Sequence, residues 1–147
     1  MIVRIIVMFS FLCLVSGCLP ALATECGKLC NNTWWKNAST EELKVELKII
    51  ENINASNSLG WTPLHYAAKE GNPKHISLIL DTNAEINVQC KNGNTPLHIA
   101  TSNAKEQNII TLIDAGSNIT IKNTDGNTPY MMAKKNKKLK VLKIFEK

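Results

Sequence analysis

Apolar residues are spaced in two ways along the chain. From Ile5 to Val15 they form an almost unbroken run, and from Leu43 onward they recur at helical intervals separated by polar turns. Ser39-Thr40-Glu41-Glu42 has the form of a capping box and opens a helix carrying Leu43, Val45, Leu47, Ile49 and Ile50. A short helix is predicted from Leu64 to Lys69, with Thr62 as its cap and Pro63 in its first turn, where no amide donor is needed. Gly71 ends it, and a second helix runs from Pro73 to about Asp81, with Ile76, Ile79 and Leu80 on one inward face. Residues 84–88 then read as an extended stretch leading into the turn Lys91-Asn92-Gly93-Asn94. The same alternation returns with Leu97, Ile99 and Ala100, then Ile109, Leu112 and Ile113, and finally Leu139, Leu142 and Phe145.

This alternation is a true repeat. Thr62-Pro63-Leu64-His65 recurs as Thr95-Pro96-Leu97-His98 and, degraded, as Thr128-Pro129-Tyr130-Met131, with a step of 33 residues shared by Gly60, Gly93 and Gly126 and by Ala67, Ala100 and Ala133. A 33-residue period carrying T-P-L-H-x-A resembles the ankyrin repeat family. The resemblance implies an all-α, short ankyrin solenoid of helix-turn-helix pairs joined by β-hairpin-like fingers. Two full repeats, 60–92 and 93–125, stand between a partial repeat at 126–147 and a half-repeat at 39–59, with an N-terminal extension over 24–38. Ala104 and Lys137 stand where Gly71 does, so Asn103 and Asn136 are expected to make the left-handed turn, or the helices to join differently. About three repeats are needed to bury a common core, so marginal stability is expected.

The family resemblance also gives His65 and His98 a structural role, tying neighbouring turns together. No serine or cysteine lies at an offset that would make a nucleophile and base pair with them, and no phosphate-binding glycine loop, paired carboxylates or cofactor motif is present, so a non-catalytic protein is expected. In ankyrin stacks the partner, another protein, lies against the concave face built from finger tips and first helices. Carried onto this chain, that face comprises Leu59 and Trp61, then Lys91, Asn92 and Asn94, then Thr124, Asp125 and Asn127, with Tyr66, Lys69, Glu70, Ile99, Ser102 and Asn103 from the helices. Trp61 is the favoured anchor, since tryptophan is enriched among residues that dominate interfaces, although it could instead cover the N-terminal half-repeat. Trp34 and Trp35 could close the apolar end of the stack.

Residues 1–23 carry one charge, Arg4, and end in Ala21-Leu22-Ala23, as a secretory signal peptide does, with Thr24 as the mature N-terminus. Val15-Ser16-Gly17-Cys18 also resembles a bacterial lipobox, which would leave Cys18 acylated, so the protein is read as exported, with a lipid-anchored or periplasmic envelope role as the alternative. Membrane contact is expected only through a lipidated Cys18 or an uncleaved signal. Cys26 and Cys30 could close a small disulfide loop, Cys90 is expected to stay free, and the spacing does not suit a zinc site. Net charge is +5, and Asn, Ile and Lys make up a third of the 147 residues, a bias of AT-rich coding sequence such as a host-associated bacterium could have. Seven lysines and one glutamate fall in residues 134–147; a solvated capping face, an anionic membrane and an acidic partner are all open readings, whereas nucleic acid does not suit an exported protein. Asn31, Asn37, Asn54 and Asn118 begin N-x-Ser/Thr triplets, as an Asn-rich chain produces by chance. A monomer is expected.

Overall fold

The computed structural model describes residues 26–146, so the signal peptide, the Cys18 lipobox and Thr24 lie outside the described residues. A 3-10 turn, Gly27–Cys30, leads into eight helices: α1 Asn32–Asn37, α2 Thr40–Ile49, α3 Pro63–Glu70, α4 Pro73–Leu80, α5 Pro96–Ser102, α6 Glu106–Asp114, α7 Pro129–Lys135 and α8 Leu139–Phe145. There is no β-strand among the described residues. The helices stack in two rows. One row runs α1, α3, α5, α7 and the other α2, α4, α6, α8, each helix packed on its neighbours in the row. Between the rows lies one core of Leu43, Leu64, Ile76, Ile79, Leu97, Ile109 and Leu112, all fully buried; the small Ala67, Ala100 and Ala133, also buried, let the first-row helices approach closely.

The first unit is more complete than the expected half-repeat. The extension over 24–38 contributes α1, which packs against α3 as α3 packs against α5. No Thr-Pro signal marks this helix. Its cap is Asn31, whose side-chain oxygen accepts from the Thr33 amide at 2.8 Å, and its anchor is Trp35, one period before Ala68. Trp35 is buried and donates from Nε1 to the Leu29 carbonyl at 2.8 Å, so its large ring fills space that Ala68 and Thr101 occupy in the next two units.

The fingers are tight turns, each closed by two backbone bonds, not extended hairpins. Cys90 N–H donates to the Asn94 carbonyl at 3.0 Å, and Asn57 to Trp61 and Asn123 to Asn127 do the same at 3.0 Å. Adjacent fingers then join through their backbones, Lys91 N–H to the Leu59 carbonyl at 3.0 Å and Thr124 N–H to that of Asn92 at 3.1 Å. Gly93 makes this approach possible: it has φ +70°, and a Cβ there would sit 2.7 Å from the Thr124 nitrogen.

The inter-helix turns depart from the expectation in an instructive way. Gly71 is extended, not left-handed, and a Cβ on it would meet the Ala67 carbonyl oxygen at 2.7 Å. Ala104 and Lys137 cannot take that path. They themselves become left-handed, both at φ +53°, whereas Asn103 and Asn136 keep negative φ. In each case the amide two residues beyond the helix cap reaches back across the turn, Lys105 to Ala100 and Lys138 to Ala133, both at 3.0 Å. This is the Schellman arrangement.

Candidate binding surface

Each repeat presents the same positions along the first-helix side, so the structure sorts the expected contact residues into rows. Trp61, Asn94 and Asn127 form one row, all half-buried, at the point where each finger enters its helix. Lys69, Ser102 and Lys135 form a second, and the finger tips contribute exposed Leu59, Lys91, Asn92, Thr124 and Asp125.

The first row is richest at Trp61. Its ring lies 5.2 Å from that of Tyr66 and 5.8 Å from that of His65, and the Lys69 ammonium sits 5.9 Å over it, within cation–π reach. Lys69 is held there by Asn32 Oδ1 at 3.0 Å and Glu70 at 3.4 Å. Behind Trp61, Asn57 Nδ2 donates to the Tyr66 hydroxyl at 2.8 Å, while its Oδ1 accepts from the Leu59 and Trp61 amides at 2.9 and 3.0 Å. Trp61 packs against the core on one side and is open on the other.

Two expected contact residues are not surface residues. Tyr66 is only 9% exposed, because Trp61 stacks on it and Asn57 holds its hydroxyl; Ile99 is 7% exposed, because α5 is packed on both sides by α3 and α7. They support the surface from beneath. Asn94 is partly committed as well, its Oδ1 accepting from Asn123 Nδ2 at 3.0 Å. Asn57 and Asn123, which organise the finger turns, escaped the sequence reading because the residue between them at the 33-residue step is Cys90. Lys135 escaped because the third repeat's motif is degraded.

The histidines resolve into one structural device. The Thr62 amide donates to His65 Nδ1 at 3.2 Å and the Thr95 amide to His98 Nδ1 at 3.2 Å, which makes Nδ1 the acceptor and places the proton on Nε2. Nε2 then donates to the finger of the next repeat, at the Asn94 and Asn127 carbonyls, each at 3.0 Å. Burial pushes the His65 pKa down to about 4 and also lowers that of His98, so both stay neutral. Their nitrogens are occupied at both ends, which leaves neither free as a general base.

Cys26 and Cys30 are joined by a disulfide, and the Cys30 sulfur, having no hydrogen to donate, rests 3.3 Å from the Trp61 carbonyl oxygen. Cys90 is buried and unbridged. A recess of 560 Å³ lies between the disulfide turn and α2, where Lys28 pairs with Glu46 at 2.8 Å. No cluster of three metal-ligating side chains occurs among the described residues.

A family model described as ankyrin repeats (3 copies) matches residues 36–123, more than half of the chain, and the protein belongs to that family. Ankyrin repeats mediate binding to other proteins. No curated protein matches the chain in sequence.

Proposed function

We propose that the protein is an exported, non-catalytic module that binds another protein on the concave face, with Trp61 as the anchor. The observation that carries this reading is the half-open indole of Trp61, braced by Tyr66 and Lys69, with Leu59 and Lys91 exposed on the finger tips. A rigid aromatic backed by packed side chains loses little entropy on binding, which is what an interface anchor requires. Leu59, Lys91, Asn92, Ser102 and Asn127 form the surrounding rim. Export is read from the apolar run before Ala23, and the Cys26–Cys30 bridge suits an oxidising compartment.

The test is photo-crosslinking from the Leu59 position to identify the partner, followed by affinity measurements with Trp61→Ala and with Trp61→Ala combined with Asn94→Ala. Loss of at least about 2 kcal/mol, near thirtyfold, is expected for the anchor. Undiminished binding by the folded double variant would remove the concave face from the assignment. Intact mass of the native protein tests export: a soluble species beginning at Thr24 supports a released binder, and a lipid-bearing species beginning at Cys18 moves the protein to the envelope.

A further inference from the structure

The opposite end of the molecule has a surface that protein binding on the concave face does not use. We propose that the C-terminal end of the stack, centred on α8, docks onto an anionic lipid bilayer. In the first two repeats Leu64 and Leu97 are buried at 1% and 0% exposure, but Tyr130, at the same position, is 36% exposed, and Met131, in the position of buried His98, is 46% exposed. Leu139 protrudes further, at 71%.

Lysines are concentrated in the same stretch of the chain. Lys134, Lys137, Lys140 and Lys143 are all exposed, and among the described residues none of them lies within ion-pair distance of a carboxylate. Lys138 is different, since its ammonium donates to the Thr101 and Ser102 carbonyls and so closes the end of α5. Leu139 and Lys143 are four residues apart, and Lys140 and Lys143 three, so they share one face of α8, opposite buried Val141. Residues 134–147 carry net +6, while residues 24–133 carry net −2, so an anionic surface attracts this end and orients the molecule.

The side-chain choice favours lipid over an acidic protein. Protein interface cores are depleted in lysine, whereas the exposed face of α8 sets Lys140 and Lys143 beside the protruding Leu139. Compact ammonium groups flanking a shallow apolar point suit headgroup phosphates with the apolar tip at the acyl boundary.

Co-sedimentation of the protein with vesicles of phosphatidylcholine alone, and of phosphatidylcholine mixed with phosphatidylglycerol, tests this. Binding is expected only to the mixed vesicles, weakening as salt is raised. Lys137→Gln, Lys140→Gln and Lys143→Gln together should reduce it about 100-fold, at about fivefold per lysine, and Leu139→Ser should reduce it further. Helix content and melting temperature confirm that the variants remain folded. Equal binding to neutral vesicles, as the apolar run of residues 5–15 would give, or full retention in the triple variant, would overturn the proposal. Binding to polyglutamate with none to vesicles would overturn it too, and would make the occupant an acidic protein.

Discussion

At the scale of single residues, the conformations of Ala104 and Lys137 have a measurable cost. A residue with a Cβ in the left-handed region loses about 1–2 kcal/mol relative to its preferred conformation, while glycine loses up to about 1 kcal/mol of chain entropy on being fixed there. The difference favours glycine. Ala104→Gly and Lys137→Gly are each expected to stabilise the protein by about 0.5–1 kcal/mol, read as a raised urea midpoint with unchanged slope. Gly71→Ala should do the reverse, because its Cβ would press on the Ala67 carbonyl oxygen at 2.7 Å, and the helix end would have to shift. Thr101 offers a second residue-scale test. Its hydroxyl is buried and makes no hydrogen bond, so the isosteric Thr101→Val should stabilise by about 1 kcal/mol or more. An unchanged or lowered urea midpoint would mean that the hydroxyl is satisfied after all.

At the scale of elements, neighbouring helix pairs are held by side chains that close the ends of other helices. Asn108, buried on α6, donates from Nδ2 to the carbonyls of Ala67, Ala68 and Gly71 at 3.4, 3.2 and 3.2 Å, so one amide serves the C-terminus of α3 from the next repeat. Asn108→Ala leaves those carbonyls buried without that donor and should cost about 1–3 kcal/mol; Asn108→Gln tests whether the donor or its exact reach matters. This contact was not legible in the sequence, where position 108 reads only as a polar residue inside an apolar helix, with His75 and Val141 at the same step. The 33-residue period, the Thr-Pro starts and the inward faces of Ile76 and Ile109 were legible, since each rests on local pattern and spacing. Helix α1 was not, because Asn31 caps it without a following proline and Trp35 takes the position held by Ala68 and Thr101 in the next two units. Tyr66 was placed on the correct side of the molecule but at the wrong depth, since its depth is set by Trp61 and Asn57, contacts that no single-repeat register contains.

At the scale of the whole molecule, stability in a stacked repeat protein is the sum of what each unit contributes and what adjoining units share. His65 and His98 belong to the shared part, since each ties its own helix start to the finger of the following unit. The first unit is joined differently: Asn32 stands at the same step and receives Lys69 at 3.0 Å, a contact without a group that titrates near neutrality. Acid should therefore weaken the two later junctions through these histidines. Burial holds the folded pKa of each histidine below the ordinary 6.5, and protonation would also put a hydrogen on Nδ1, against the Thr62 or Thr95 amide that donates to it. A group whose folded pKa is depressed binds protons more readily in the unfolded chain, so its stabilisation is complete above pH 6.5 and is lost as pH falls toward the folded value. For His65, held at about 4, the full loss is about 3 kcal/mol, and His98 adds in the same direction. The lowered carboxyl pKa values of Glu41 and Glu42 act later, below their ordinary 4.5, so the interval between that value and 6.5 isolates the histidines. Urea midpoints measured across this interval should fall steadily in the parent protein and less steeply in His65→Gln combined with His98→Gln, which starts less stable and in which His75, also lowered by burial, still titrates there. A parent curve no steeper than that of the double variant would show that the two imidazoles do not couple the repeats.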